Sequence, residues 1–528
     1  MFKNKVCYLQ KGTYFYLFII FFLVIGFSVR IIAISTLPLG LNQDEASIGY
    51  DAYSILKTGS DRHGVEFPVH LISWGSGQNA LYAYLSIPFI SVFGLNPFSV
   101  RIVNAIFSCI SLIFFYLLFK LLFDKRKAIV ALAILTICPW SIMSGRWGLE
   151  CNIFPTLFLI GIYFLIKSIH SSSYNIFISI VVFAVCLYSY GTSYLIVPLF
   201  FLLSFPYLLL NKYITLRNLI LSFGVFFFIS LPIIMFVIIN HLNLPQFKIL
   251  NLTIPRLDRN RTTEIFNMFS PDILVTLFKN TSRLVNIVFL QTDGNLYNAI
   301  PTFGTIYGIS LPFFLIGLYN VLSKKEERKQ PHHFIFLMWF LSSIVLGISS
   351  HININRLNII FFPMLYFVVH GIFDVSNTLV EKYRNHYKII LSSLYFSFFC
   401  FFLVYYFVEF HGGNEVYSPG LGDAIRYAEN INQSDSINIT TNTVNMPYIY
   451  VCFYNRLDPN IFLNAVKYKK NKEQDEFEEV EQLGRYTFGN GDVKKSAIQI
   501  LSKEELKYMN LKPILRKDFG NYSVLKFK

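Results

Sequence analysis

The stretch Asn42-Gln-Asp-Glu-Ala-Ser-Ile-Gly-Tyr-Asp-Ala-Tyr53 follows a long apolar run, Tyr14 to Ile34. That run is long enough to cross a bilayer, which takes about 20 apolar residues. Asp44 and Glu45 therefore stand at a membrane boundary. Carboxylates placed there cost free energy unless they meet water, a counter-charge or a ligand. The polar, aromatic-rich segment that follows leads the chain back to a second apolar run at Arg101. The rest of the protein reads as scaffolding for this loop, residues 36–101.

Composition supports that reading. Only 14% of the 528 residues are charged and 54% are hydrophobic, whereas a soluble chain carries about 25% charged residues. Apolar runs recur at 14–35, 102–122, 128–143, 153–168, 175–190, 194–210, 218–239, 305–322, 334–350, 357–373 and 388–407. They predict a mainly α, polytopic transmembrane helical bundle of about eleven spans. The first run is too long for a cleavable signal, and no small-residue cleavage site precedes Pro38.

Basic residues fall in alternate loops: Lys3, Lys5 and Lys11, then 124–127, 212–217, 324–329, and 381–384 with Lys388. By the positive-inside rule these loops and the N-terminus are cytoplasmic, and the tail after Phe407 lies outside. The net charge of +14 is thus a topology signal, and nucleic acid is not an expected partner. Seven scattered cysteines show neither a disulfide framework nor a metal-site spacing.

Residues 1–407 are expected to form the transmembrane catalytic domain. Residues 408–528 gain Asn, Asp, Glu and Lys and suit a small outward-facing α/β domain. This tail has a helix-like piece at 422–430, strand-like pieces at 436–441, 448–454 and 522–527, and a charge-dense solvated stretch at 467–481. Within the first loop, Asn79 to Gly94 is apolar, too short to span and interrupted by Pro88. It reads as an interfacial helix with Tyr82 and Tyr84 at the lipid–water boundary.

Asp44 is the leading chemical candidate. A partly desolvated carboxylate is more basic and suits a general base, although Asp-Glu-Ala-Ser equally fits the first turn of a helix. Arg146 and Glu150, spaced i and i+4, would share a helical face at the mouth of the fourth span. Glu150 and Asp44 could together hold a divalent cation. Arg356, beside Asn353 and Asn355, suits a lipid phosphate because its planar fork matches phosphate oxygens; snorkelling to lipid headgroups is the plainer alternative. Arg256, Arg259 and Arg261 are weaker phosphate candidates. His63, His70 and His351 lack ligand spacing, and Tyr188 to Tyr194 reads as a packing turn. The spans hold no relay of acids and histidines, which counts against an ion transporter.

Asp44-Glu-Ala with Gly49-Tyr-Asp-Ala-Tyr53, Gly59-Ser-Asp-Arg-His-Gly64, Leu81-Tyr-Ala-Tyr-Leu85 and Phe93-Gly94 leading to Arg101 resembles the first outer loop of GT-C glycosyltransferases. The similarity is to bacterial family 39 members of the protein O-mannosyltransferase and aminoarabinose transferase type. It is strong over residues 14–210, looser to 373 and weak in the tail. It implies a plasma-membrane enzyme moving a sugar from a polyprenyl-phosphate donor to a lipid, glycan or protein acceptor on the outer face, usually with inversion. By position, Asp44 would be the general base and Glu150 the second acid, near the acceptor or a metal. Arg356 would hold the phosphate, with Glu45, Arg146, Tyr53 and Tyr82 as further substrate-binding candidates. The family's usual Asp before the fourth helix is Glu150 here, so a divalent cation is an open expectation. Two other readings stand beside it: a polymerase or ligase for diphosphate-linked oligosaccharides, and a non-enzymatic lipid or polysaccharide transporter.

Overall fold

Lipid cannot satisfy backbone polar groups, so each long apolar run must close its hydrogen bonds internally as a helix. The computed structural model describes residues 2–258, 273–410, 414–431, 435–469, 477–489, 497–509 and 512–527; Arg259, Arg261 and residues 470–476 of the charge-dense stretch lie outside them. All eleven expected runs are helical in whole or in large part. Helix α1 (Phe2–Ile31) leads into the first loop, which holds α2 (Gln43–Thr58), a ribbon of β1 (His70–Leu71) and β2 (Gln78–Asn79), and α3 (Leu81–Phe93). The bundle continues through α4 (Pro97–Leu122), α5 (Lys125–Ile137), α6 (Pro139–Gly145), α7 (Phe154–His170), α8 (Asn175–Cys186), α9 (Ser193–Leu210) and α10 (Leu216–His241). After the hairpin β3 (Phe247–Ile249) and β4 (Leu252–Ile254) come α11 (Ile273–Val285), α12 (Leu311–Ser323) and the short α13 (Lys325–Arg328). The bundle ends with α14 (Pro331–Ser349), α15 (Phe361–Thr378) and α16 (Glu381–Val404).

Among the described residues, seven helices are long and apolar enough to cross a membrane, and α5 with α6 makes an eighth as a pair bent by 57°. Phe15–Ile31, Asn175–Cys186 and Gly308–Ser323 are shorter apolar helices at the other three expected positions.

The C-terminal segment folds around a mixed seven-stranded sheet of order β10-β11-β9-β5-β8-β7-β6. Its centre is β5 (Ile437–Ile439), parallel to both β8 (Tyr486–Phe488) and β9 (Ile498–Ser502). Antiparallel neighbours β6 (Val466–Tyr468), β7 (Val480–Leu483), β10 (Leu515–Phe519) and β11 (Tyr522–Lys526) complete it. Helices α17 (Leu421–Ile431), α18 (Pro447–Tyr454) and α19 (Pro459–Ala465) accompany the sheet. The expected strand at 448–454 is in fact α18. Pro447 starts its first turn, and Tyr448 to Phe453 are all buried, so no solvent-facing alternation distinguishes strand from helix there.

The first loop is wedged between bundle and sheet. Gly49 on α2 lies so close to α18 that a Cβ there would come within 2.7 Å of both Phe453 and Val100. Tyr50 donates to the Leu457 carbonyl at 3.1 Å, and Tyr450 returns a hydrogen bond to the Leu41 carbonyl at 3.3 Å. Tyr82 does not reach a lipid boundary. It is fully buried, and its hydroxyl donates to the Val100 carbonyl at 2.8 Å, tying α3 to α4.

One ion pair fixes the entry to the loop. Glu45 and Arg101 are both fully buried and meet side by side, Nε to Oε1 at 2.8 Å and Nη2 to Oε2 at 3.0 Å. Arg101 also donates to the carbonyls of Ile34, Pro38 and Gly40, gathering the chain between α1 and α2. Glu45 accepts the Gly148 N–H at 2.9 Å and closes the capping box of α2 with Asn42. Two buried charges need such saturation to offset their desolvation. Glu45→Gln or Arg101→Met alone should therefore lower unfolding stability by about 3–5 kcal/mol. The double variant should lose less than the sum. Thermal unfolding in detergent measures both, and strictly additive losses would show that the pair is not coupled.

Candidate active site

Asn42 caps α2 by accepting the Asp44 N–H at 2.8 Å, which sets Asp44 in the first turn and half-exposed. Successive helical residues point about 100° apart, so Glu45 turns inward to Arg101 while Asp44 faces a cavity of about 350 Å³. Glu150 and Arg356, far away in sequence, line the same cavity. The three residues on which the sequence argument leaned most are thus brought together.

Each acid is held by the ribbon that joins β1 to β2. Trp74 Nε1 donates to Asp44 Oδ1 at 3.1 Å, and Gln78 Nε2 donates to Glu150 Oε2 at 3.0 Å. Gly75 and Gly77 make the tight turn between those two donors with φ of +84° and +88°, a region glycine enters without steric cost. The ribbon is itself anchored. Ser73 donates to Gln78 Oε1 at 3.1 Å, and Arg62 lies over the Trp74 ring at 4.8 Å while pairing with buried Asp51 at 2.6 Å.

The segment carrying Glu150 is not a helical continuation of α6, which ends at Gly145. Asn104 holds it by donating to the carbonyls of Trp147 and Leu149, and Asn358 by donating to Cys151 O at 2.8 Å. The expected shared face of Arg146 and Glu150 therefore does not form. Arg146 is fully buried, donates to the carbonyls of Val29 and Leu37, and lies over Phe407 at 4.9 Å. Glu45 is likewise committed to structure, Tyr82 is sealed under α4, and Tyr53 stacks on Tyr50 away from the cavity. None of these four lines it.

On the opposite wall, Asn353 Oδ1 accepts the Arg356 N–H at 2.8 Å, and Arg356 Nη1 donates to the His351 carbonyl at 3.0 Å. Asp293 clamps the same turn by accepting the Ile354 N–H at 2.9 Å. Asn353 and Asn355 reach the cavity too. So do Tyr190 and Tyr194 from the turn expected only to pack helices. His70 stacks on Phe236 at 4.0 Å between ring centres, and burial lowers its imidazole to about 4, so it is neutral at pH 7. The sequence reading missed Trp74 and Gln78. Their signal was the run Ser73-Trp-Gly-Ser-Gly-Gln-Asn79, whose glycines and amides suit a rigid polar turn.

For a divalent cation, the cavity offers the carboxylates of Asp44 and Glu150. Among the described residues no third His, Cys, Asp or Glu joins them in a tight group, which falls short of an all-protein cage.

Residues 80–239, under a third of the chain, match the family described as dolichyl-phosphate-mannose-protein mannosyltransferase. No curated protein matches the sequence significantly. Among solved structures, ArnT from Cupriavidus metallidurans bound to undecaprenyl phosphate is similar with a TM-score of 0.55 at 11% identity, over 96% of this chain and 97% of that one. The Archaeoglobus fulgidus oligosaccharyltransferase with zinc and sulfate gives 0.55 at 14% identity, over 83% of this chain and 61% of that one. AglB from the same organism, with an inhibitory peptide and dolichol-phosphate, gives 0.55 at 13% identity, over 84% of this chain and 64% of that one. The chain is a multi-pass membrane protein with the GT-C fold of membrane glycosyltransferases.

Proposed function

We propose that the protein transfers a sugar from a polyprenyl-phosphate carrier to an acceptor hydroxyl or amine, with the cavity between Asp44, Glu150 and Arg356 as its active site. The observation that carries this reading is the convergence of two acids and one arginine, from residues 44, 150 and 356, on one polar cavity. Two of the similar structures hold a polyprenyl phosphate: undecaprenyl phosphate in ArnT and dolichol-phosphate in AglB.

In this reading Asp44 accepts the acceptor's proton as its oxygen or nitrogen attacks C1 of the sugar. The C1–O bond to phosphate breaks, and the electron pair leaves with the carrier phosphate. Arg356 holds that growing charge through charge-assisted hydrogen bonds and stays ionised throughout. Glu150, fixed by Gln78, orients the acceptor. The two carboxylates alone do not specify a metal, and no step runs through one. Residues 1–407 form the catalytic membrane domain and residues 408–528 an extracytoplasmic domain, with the N-terminus cytoplasmic by the charge rule. The contacts of α18 and Leu457 with α2 and with Leu41 before it support a role for this domain in fixing the loop that carries Asp44.

Reconstituted protein with a panel of radiolabelled polyprenyl-monophosphate sugars tests the reading. Wild type should consume at least one donor. Asp44→Asn, nearly isosteric, should lose at least about 10²-fold in turnover, the scale of general-base catalysis, while unfolding at the same temperature. Arg356→Ala should also be strongly impaired. Consumption of diphosphate oligosaccharides alone would replace the monophosphate reading, and equal activity of Asp44→Asn would overturn the base assignment.

Trp74→Phe removes one hydrogen bond from Asp44 and leaves the ring stacked under Arg62. A hydrogen bond to the ionised form favours it, so its loss should make the base bind its proton more tightly. The acidic limb of the kcat/KM profile should then move to higher pH, with donor KM little changed. An unmoved limb would show that Trp74 does not act through Asp44.

A further inference from the structure

Three side chains from three different helices converge at the other end of α15 from the cavity. Asn358, just before α15, touches the Cys151 carbonyl beside Glu150. His370 lies twelve residues on, roughly 18 Å along the helix. Here Glu327 on α13, His333 in the first turn of α14 and His370 each offer one ligand atom, and these atoms lie within 4.8 Å of one another. His333 Nε2 is 2.6 Å from Glu327 Oε2, and His370 Nε2 is 3.6 Å from the same oxygen. Asp374, one turn after His370 on the same helical face, places Oδ2 at 3.5 Å from His370 Nε2.

A plain His–Glu ion pair explains only part of this cluster. It accounts for His333, whose Nδ1 also meets the Tyr366 hydroxyl at 2.8 Å. It does not account for His370. That side chain is 3% exposed, and neither of its ring nitrogens has a hydrogen-bond partner. A buried polar group left so is costly. Its Nε2 faces two carboxylate oxygens beyond the usual 2.7–3.2 Å of a hydrogen bond. Two donors on one tetrahedral zinc ion, each about 2.1 Å from it, sit about 3.4 Å apart. The 3.6 Å between His370 Nε2 and Glu327 Oε2 fits that spacing, whereas the 2.6 Å from His333 Nε2 to the same oxygen is a direct hydrogen bond that an entering ion would replace.

We propose that Glu327, His333 and His370 bind a divalent transition metal ion of the zinc class. Two imidazole nitrogens and one carboxylate oxygen suit Zn²⁺, with solvent in the fourth position. Tyr366 holds the outer nitrogen of His333, and Asp374, which accepts Asn320 Nδ2 at 2.7 Å, lies beside His370 as a supporting acid. Lys127 and Lys324 are the cations that act on His370, the Lys127 ammonium stacked over Phe123 at 4.4 Å and Phe373 at 5.4 Å. The carboxylates of Glu327 and Asp374 balance them. The ion would pin α13, α14 and α15 to one another, independently of the transfer reaction.

The test uses the full chain in detergent, stripped with chelator and titrated with Zn²⁺ against a chromophoric competitor. Bound metal is counted by elemental analysis. Wild type should bind one equivalent tightly and unfold at a higher temperature when loaded. Asp44→Asn/Glu150→Gln, which disables the cavity, should still bind it. His370→Ala and Glu327→Gln should bind at least tenfold more weakly and lose the thermal shift, and Tyr366→Phe should weaken binding about tenfold. Glu327 is partly exposed, so its variant keeps the test valid if His370→Ala does not fold. No stoichiometric binding by wild type, or binding unchanged in Glu327→Gln, overturns the site. So does binding lost only in the cavity variant.

Discussion

The buried pairing of Glu45 with Arg101 is the constraint on which the candidate site depends. Arg101, in the second turn of α4, collects the carbonyls of the chain leaving α1 and grips the first turn of α2. Through the Gly148 N–H, Glu45 also reaches the segment that carries Glu150. One charge pair thus relates three pieces of chain that are distant in sequence. Asp44 is the residue next to it, and its aim into the cavity follows from that anchorage and the 100° step of a helix.

The site has two layers with different jobs. Glu45, Arg101, Asp51, Arg62 and Arg146 are buried charges whose partners lie within the protein. Asp44, Glu150 and Arg356 face open space. Between the layers sits a ribbon that contributes one donor to each acid, Trp74 and Gln78. The spacing of the two carboxylates is then governed by a few residues of tight turn.

Much of this was legible in the sequence because membrane physics is blunt. Apolar runs and basic loops gave the helices their places, and an acid beside such a run pointed to the cavity. The candidates that do not line the cavity share a cause. Glu45 stood beside Asp44 and Arg146 four residues from Glu150, Tyr53 and Tyr82 came with the family resemblance, and none of these cues specifies direction once a helix turns or ends. Whether Glu45 faces a substrate or Arg101, 56 residues later, is settled by three-dimensional packing alone. In the C-terminal segment, Tyr448 to Tyr454 lost the cue that separates strand from helix because every side is covered. The glycine-rich turn holding Trp74 and Gln78 was visible as a turn, but what its donors would meet was not.

Gly49 has a further implication. With Phe453 on one side and Val100 on the other leaving no room even for a methyl group, α2 is clamped between the sheet-bearing segment and the bundle. A helix held in this way cannot swing as a lid without unseating both neighbours. The cavity's facing wall is a separate piece of chain, the Asn353 to Arg356 turn held by Asp293. Asp44 is therefore fixed to the same unit as the buried charges beside it, and the wall that carries Arg356 can vary without disturbing its alignment.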